Sequence, residues 1–113
     1  MFEYLAEGVR AVDGDTIDCI IDLGFDIKIK KRVRLKGIDT PECRTKDLVE
    51  KAKGLSAKER VVNLIEGKHF IIRTEYDRVG KYGRVIGEIE LVGGIILNDL
   101  LVSEGHAKRV DYK

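Results

Sequence analysis

The sequence predicts an α+β domain that is mainly β, and three observations lead to this prediction. The chain has 113 residues, which is the length of one ordinary domain. Hydrophobic residues make up 43% of the sequence, enough to bury a compact core. Apolar and polar residues alternate through the first third of the chain, whereas helical patterns come only between and after the strands. We therefore expect residues 1–113 to form a single domain.

The first predicted strands form a hairpin that is followed by a basic strand. Val9 to Val12 precede a turn at Asp13 and Gly14, and every second residue from Ile17 to Leu23 is then apolar. A further strand is expected from Ile27 to Lys36, where the odd positions are mainly apolar. The other face of this strand carries only cations, which are Lys28, Lys30, Arg32, Arg34 and Lys36. This alternation predicts a basic sheet face.

The first helix is expected to begin at Ser56. Ser56 and Glu59 have the spacing of a capping box, in which both side chains satisfy free backbone N–H groups at a helix start. Leu48 to Gly54 has a mixed pattern, for which we expect an irregular segment or one helical turn. Gly67 suits a left-handed stop just past the helix end.

The second half of the chain predicts more strands and a second helix. Strands are expected at His69–Thr74 and Val85–Leu91, with a short apolar strand at Ile95–Leu97. Asn98 is expected to cap a helix that runs to Glu104. Strands in succession, with helices between and after them, are typical of an α+β fold or a small barrel. A five-stranded OB-like barrel with two helices packed on it fits the count.

Composition and charge leave the class of partner open. Charged residues make up 36% of the chain but the net charge is only +1, so global charge neither demands nor excludes a polyanion. No apolar run approaches the length of a membrane span, and we expect a monomer that does not contact membranes. Met1 to Arg10 lacks the apolar core of a signal peptide, which leaves the compartment open and slightly favours the cytoplasm.

The cysteines and histidines do not indicate a metal or redox site. The two cysteines, Cys19 and Cys43, do not form a Cys-x-x-Cys pair. We expect Cys19 to lie in the core and Cys43 to be a bystander in a loop. His69 and His106 are isolated from each other and from any Ser or Cys in a triad pattern, so we expect structural roles for both.

Two short runs carry the residue types of phosphodiester chemistry. The run from Arg34 to Glu42 joins an arginine to two carboxylates, and the run from Lys81 to Arg84 adds a lysine, a tyrosine and a second arginine. A hard divalent cation prefers carboxylate and carbonyl oxygens, and the charge that develops on phosphate needs fixed cationic donors. The planar fork of arginine can bind two phosphate oxygens at once. These residue types predict a nuclease.

Each of these features taken alone also has a structural explanation. Asp13 and Asp15 can decorate an Asp-Gly turn, although the alternation directs Asp15 toward the apolar side, where it needs a partner, unless Gly14 introduces a bulge. Residues 39–42 can form a plain turn that closes a strand. The candidate cations, which can be solvated surface charges, are Arg34, Lys81 and Arg84. The chemistry alone leaves catalysis and a solvated surface equally open.

Three segments in order resemble the staphylococcal-nuclease-like (thermonuclease) family. They are Asp-Gly-Asp-Thr at residues 13–16, Arg34 through Glu42, and Lys-Tyr-Gly-Arg at residues 81–84. The resemblance extends through Asn98 to Lys108 and so covers nearly the whole chain. It implies an OB-fold barrel with helices packed on it, calcium dependence, and hydrolysis of DNA and RNA to products with 3′-phosphates.

The resemblance assigns a metal site and a catalytic carboxylate. Asp15 and Asp39 would be the calcium carboxylates, and Thr40 would add its backbone oxygen. Glu42 would act as the general base or as the group that orients the attacking water.

The resemblance also assigns the phosphate-binding residues. Arg34 and Arg84 would hold the scissile phosphate, most strongly as charge builds in the transition state. Lys81 and Tyr82 would bind a neighbouring phosphate and the nucleotide. All eight assigned positions carry the residue type that the family leads us to expect.

The chain departs from the family pattern near its end. The family has a pair of tyrosines where this sequence has Asp111 and Lys113, with the single Tyr112 between them. It also has a third helix, which would lie beyond Lys113, so we expect either a short member or a removed segment.

Two other function classes compete with a nuclease. One is a nucleic-acid-binding module that keeps the barrel but has weak or no turnover, although such modules usually have gaps in the motifs and this chain has none. The other is an OB-type oligonucleotide binder without catalytic ancestry, which would rely on exposed aromatic residues for stacking. With four Tyr, three Phe and no Trp, this chain offers few stacking residues, which argues against that class.

Overall fold

The structure is a computed structural model that describes residues 2–76 and 85–110. A closed five-stranded barrel with two helices confirms the predicted fold class. The strands are β1 (Phe2–Asp13), β2 (Thr16–Asp22), β3 (Lys28–Leu35), β4 (Ile38–Asp39), β5 (His69–Tyr76), β6 (Val85–Glu90) and β7 (Lys108–Arg109). The helices are α1 (Leu48–Ile65) and α2 (Leu97–Ser103).

The barrel strands follow the order β1, β2, β3, β6, β5, and β5 pairs back onto β1. The β3–β6 pair is parallel, and the other four pairs in the barrel are antiparallel. Strands β4 and β7 form a separate two-stranded sheet, in which Asp39 lies opposite Lys108. Neither described helix is long and apolar enough to cross a membrane.

Alternate residues of the strands fill the barrel with apolar side chains. On β2 and β3 the buried apolar residues are Ile17, Cys19, Ile21, Val33 and Leu35, as the alternation predicts. Leu23 and Ile27, which the same alternation placed on this face, are 39% and 54% exposed near the hairpin tip. Each large side chain that is fully buried contributes roughly 1.5–3 kcal/mol. Cys19 lies in the core as predicted, and its burial raises the pKa of the thiol to about 12, so the thiol stays protonated.

Helix α1 begins eight residues before the predicted start. The prediction that it starts at Ser56 is wrong, because Asp47 is the N-cap and accepts hydrogen bonds from Val49 N–H at 3.0 Å and Glu50 N–H at 3.2 Å. Glycine is unfavourable inside a helix, yet Gly54 lies within α1. A Cβ at this position would lie 2.6 Å from the backbone of Glu42. The glycine therefore lets α1 pack closely against the loop after β4.

Helix α2 begins without a side-chain cap. The prediction that Asn98 is the N-cap is wrong, because Ile96 occupies that position and Asn98 lies inside the helix. The predicted strand at Ile95–Leu97 is reduced to one β-bridge between Ile96 and Glu90. Gly105, with φ of 79°, follows the helix in the left-handed conformation.

Candidate active site

The pairing of β2 with β3 brings Arg34 beside the turn that precedes β2. Thr16 is the partner of Arg34 in this ladder. The N–H of Leu35 donates to the backbone oxygen of Asp15 at 2.8 Å, which extends the pairing into the turn. The β1 strand has a register shift between Ala11 and Asp13, so the simple alternation does not continue through the turn.

Asp15 is a buried carboxylate with three kinds of donor around it. It is 7% exposed, and it forms an ion pair with Nη1 of Arg34. Its Oδ2 accepts from the backbone N–H of Thr40 at 3.1 Å, and its Oδ1 accepts from the hydroxyl of Thr16 at 3.1 Å. The expectation that Asp15 needs a partner is confirmed.

The charge state of Asp15 follows from these contacts. Burial alone would raise the pKa of its carboxyl, but the hydrogen bonds from Arg34 and Thr40, the charge of Arg34 and the Thr16 hydroxyl together hold the pKa below the usual value. Asp15 is therefore an anion at neutral pH.

Arg34 bridges Asp15 to a second carboxylate. Its Nη2 donates to Oδ1 of Asp39 at 3.2 Å and to the backbone oxygen of Ile38 at 3.2 Å. The Arg34 side chain is only 15% exposed, whereas that of Asp39 is 46% exposed. One half-buried guanidinium thus lies between a buried carboxylate and one that faces solvent.

The turn at Gly14 must lie close to Thr40 for this cluster to form. A Cβ at Gly14 would lie 3.0 Å from both Oγ1 and Cγ2 of Thr40 and 2.9 Å from Cβ of Ala57. Thr40 is buried, and its Oγ1 has no hydrogen-bond partner among the residues that the structure describes. The Asp-Gly turn is therefore also a packing element that joins the site to α1.

Glu42 lies on the same loop as Thr40 but does not join the cluster. It is exposed, and its carboxylate makes no hydrogen bond or ion pair within residues 2–76 and 85–110. The contact of Gly54 with its backbone fixes the loop from the side of α1. The structure thus holds the main chain of Glu42 and leaves its side chain accessible to water.

Three of the predicted site residues, Lys81, Tyr82 and Arg84, lie outside the described residues, as do Asp111 and Lys113. Their predicted roles stay predictions. Strand β6 begins directly after this segment, and its first residue pairs with Val33 of β3, the neighbour of Arg34.

A cleft of about 500 Å³ opens beside the cluster. Its lining includes Asp39 and Thr40 together with His106 and Lys108. His106, for which we expected a structural role, therefore lies where a ligand of the cleft would contact it. The cleft therefore opens at Asp39, the solvent-facing carboxylate of the cluster.

Sequence reasoning missed the structural role of Asn98, whose side chain holds the backbone next to the site. Asn98 is 4% exposed, accepts from the N–H of Ile89 at 3.1 Å, and donates to the backbone oxygens of Lys36 at 2.9 Å and Gly87 at 3.2 Å. It thereby ties α2 to β6 and to the turn between β3 and β4. The available signal was that Asn98, together with Asp99, interrupts the apolar residues at positions 95–97 and 100–102.

Cys43 is not the bystander that the sequence suggested. It is 7% exposed, and its Sγ donates to Oδ1 of Asp13 at 2.7 Å. Burial, together with the hydrogen bond to Asp13 and the charge of that carboxylate, raises the pKa of the Cys43 thiol. The contact links the turn before β2 to the loop that carries Thr40 and Glu42.

Comparison with known proteins yields one family and several relatives. The sequence profile described as staphylococcal nuclease homologue matches residues 32–113. Thermonuclease from Staphylococcus intermedius is 37% identical over 106 residues, covering 91% of this chain and 58% of the relative. Micrococcal nuclease from Shigella flexneri is 30% identical over 113 residues, covering 93% and 58%. Protein ParB from Escherichia coli is 36% identical over 87 residues, covering 77% and 42%. The chain thus spans about half the length of these relatives.

Proposed function

We propose that this chain, which belongs to the staphylococcal nuclease homologue family, hydrolyses phosphodiester bonds of DNA, RNA or both with calcium and leaves 3′-phosphate products. The observation that carries the proposal is the guanidinium of Arg34, which bridges Asp15 and Asp39 beside an open cleft. These residues come from three separate segments of the chain. Two relatives of the chain are named thermonuclease and micrococcal nuclease, which supports the same reaction class.

The oxygen donors of the cluster fit a hard divalent cation. Asp15 and Asp39 offer carboxylates, and Thr40 offers its backbone oxygen, which are the ligand types that Ca²⁺ prefers. Within the described residues, no group of three His, Cys, Asp or Glu side chains is placed to hold a metal, so the set would depend on the Thr40 carbonyl and on water. Calcium bound there would offset the negative charge of the phosphate and activate a water molecule.

Arg34 would stabilise the charge that develops on the phosphate. Its side chain is held by Asp15, Asp39 and the backbone oxygen of Ile38, so it is oriented before the substrate arrives. Such preorganised donors act mainly in the transition state, where they need no reorganisation. Within the proposal Arg84 provides the second guanidinium for the same phosphate.

Glu42 would take the proton of the attacking water. Its exposed carboxylate has no described partner, so it is available to accept a hydrogen bond from water. The contact between its backbone and Gly54 keeps the loop in place while the side chain acts. Lys81 and Tyr82 complete the proposal by binding the neighbouring phosphate and the nucleotide.

Digestion of a 5′-labelled single strand tests the proposal. DNA and RNA strands are incubated with calcium and, in parallel, with excess chelator, and the new ends are identified by whether phosphatase is needed before polymerase can extend them. We expect cleavage only with calcium and 3′-phosphates at the new ends.

Two variants purified in the same way exclude a contaminating nuclease. Arg34→Ala should abolish cleavage, whereas Arg60→Ala, which removes a helix arginine paired with Glu104, should retain it. Cleavage that persists in chelator, or new ends with 3′-hydroxyls, would contradict the proposal. Binding of both strands without any cleavage would identify a binding module instead.

A further inference from the structure

The hairpin between β2 and β3 ends in an exposed aromatic residue on a strained backbone. Phe25 is 97% exposed, and Phe25 and Asp26 have φ of 55° and 61°, a region that L side chains rarely adopt. Hydrogen bonds fix this tip, because Leu23 N–H donates to the Ile27 oxygen at 2.8 Å and Ile27 N–H donates to the Gly24 oxygen at 2.9 Å. The hairpin therefore holds an aromatic ring in solvent instead of burying it.

Cations lead from this tip to the candidate site along the outer face of β3. Lys28, Lys30, Arg32 and Arg34 occupy alternate positions of the strand, so their side chains start from one face, with successive ones about 6.6 Å apart. The first three are exposed, and only Arg34 is half-buried. The strand from Lys28 to Arg34 spans roughly 20 Å at about 3.3 Å per residue.

The carboxylates on this face do not cancel its positive charge. Asp18 is held by two guanidiniums, with Arg10 at 3.1 Å and Arg32 at 2.9 Å, so this group carries one excess positive charge. Asp22 lies opposite Lys28 in the β2–β3 ladder, but its Oδ1 accepts from the N–H of Gly24 at 2.8 Å, and it forms no ion pair with Lys28 within the described residues. Lys28 and Lys30 make no ion pair within the described part of the chain. Their charges are available to a ligand.

We propose that Phe25, Lys28 and Lys30 form a hairpin track, which binds a single strand of nucleic acid and leads it to Arg34. Stacking of bases on an aromatic ring and pairing of phosphates with cations are the two interactions that bind single strands without sequence preference. The charge of the face and its continuity with the candidate site favour this occupant. The inference rests on the proposed function, because the track ends at the proposed hydrolytic site.

The hairpin track makes affinity depend on strand length. A strand of a few nucleotides that binds at Arg34 cannot reach Phe25, whereas a longer strand can contact both. The 113-residue chain is titrated in excess chelator with fluorescent oligothymidylates and oligouridylates of about three and about twelve nucleotides, and binding is followed by anisotropy. We expect tighter binding of the longer strand in at least one of the two series.

Variants at the tip separate stacking from simple apolar contact. Phe25→Ala should weaken binding of the longer strand by about fivefold or more, and so lower the ratio of long-strand to short-strand affinity. Phe25→Leu should behave like Phe25→Ala, whereas Phe25→Trp should retain the ratio. Neutralising Lys28 and Lys30 together should reduce the slope of log affinity against log salt by about 1.4.

Matched controls and a cleavage assay make the outcomes distinct. Val92, 88% exposed in the turn after β6, and Lys51, exposed on α1, are changed to alanine as controls, and neither change should alter the affinity ratio. Equal ratios of long-strand to short-strand affinity for Phe25→Ala and Val92→Ala would overturn the hairpin track. So would a Phe25→Ala change that weakens binding of a protein or membrane partner but leaves oligonucleotide affinity unchanged. Length-dependent binding without cleavage would refute the proposed function but support the track, whereas cleavage with length-independent affinity would do the reverse.

Discussion

Two clusters of aspartate and arginine lie close together on the β2–β3 ladder, and they differ in their balance of charge. In the outer cluster, Asp18 lies between Arg10 and Arg32, at 3.1 Å and 2.9 Å. In the site cluster, the guanidinium of Arg34 lies between two carboxylates, those of Asp15 and Asp39. The outer cluster has an excess of cations, and the site cluster has an excess of anions.

The difference shows why an ion pair alone does not mark a functional site. The arginine side chains of the outer cluster are 55% and 57% exposed, as is usual for a structural pair at a surface. In the site cluster the Arg34 side chain is 15% exposed, and the two carboxylates have only this one cation among their described ion pairs. A surplus of anionic oxygens beside a cleft suits a metal cation and the chemistry it supports.

The largest expected effect comes from replacing one arginine of each cluster by lysine and comparing the two variants. Arg34→Lys keeps the charge but loses the planar fork, so turnover should fall by about two to four decades. Arg32→Lys, two positions away on the same face, should leave saturated turnover nearly intact. Single-turnover cleavage of a labelled strand at saturating protein measures both. Similar rates for the two variants would mean that Arg34 is only another cation of the basic face.

The next effect concerns Glu42, which lies beside the site cluster without contacting it. Glu42→Gln is nearly isosteric, so a general-base role predicts a loss of roughly two to four decades in turnover with little change in stability. Glu59→Gln, on the exposed face of α1, is the matched control and should have normal rates. Near-normal cleavage by Glu42→Gln at saturating calcium would remove the catalytic assignment and favour a binding module.

Calcium should stabilise the chain through the site cluster only. A ligand that binds the folded state at 100 times its Kd adds about 2.7 kcal/mol to the free energy of unfolding. Asp39→Asn should lose most of this stabilisation, whereas Asp18→Asn in the outer cluster should keep it. Melting temperatures with and without millimolar calcium measure the shift. A wild-type melting curve that calcium does not move would count against the assignment of Asp15 and Asp39.

The smallest expected effect is the pH dependence of the outer cluster. The hydrogen bond and charge of Arg32, helped by Arg10 and opposed by burial, lower the pKa of Asp18 below its usual value. Because the unfolded pKa is about 3.9, the pairing stabilises the fold above roughly pH 4 and is lost as the pH falls through the folded-state pKa. Asp18→Asn should therefore cost about 1 kcal/mol at neutral pH, since both arginines are exposed, and less in acid.

Urea unfolding of wild type and Asp18→Asn at about pH 7 and about pH 3 measures this dependence. A difference in the free energy of unfolding that stays constant between the two pH values would show that the charge of Asp18 does not contribute.

Local alternation explains what the sequence could predict about the fold. Apolar residues occupy every second position from Ile17 to Ile21 and from Val33 to Leu35, so these parts of the two strands and their buried apolar side chains were predictable. The start of α1 was not, because Leu48 is 79% exposed and Gly54 is required by a contact with a distant loop. Strand β1 begins at Phe2, well before the predicted start at Val9. Its first residues include exposed apolar side chains, such as Phe2 and Leu5, so the sequence does not alternate between polar and apolar there.

The candidate site was predictable in residue type but not in geometry. Residue chemistry and the family resemblance indicate Asp15, Arg34 and Asp39. The register of β2 with β3 places Asp15 beside Arg34, and the turn between β3 and β4 brings Asp39 back to the same guanidinium. The role of Asn98 could not be read locally, because its partners lie on β6 and at Lys36.

The most direct test of the site cluster is diffraction from crystals grown in calcium, with the anomalous signal used to locate the ion. The account predicts a calcium ion within about 2.3–2.6 Å of oxygens from Asp15, Asp39 and the Thr40 carbonyl, and none at Asp18. A calcium ion bound at another group of carboxylates, with none at Asp15 and Asp39 in millimolar calcium, would contradict it.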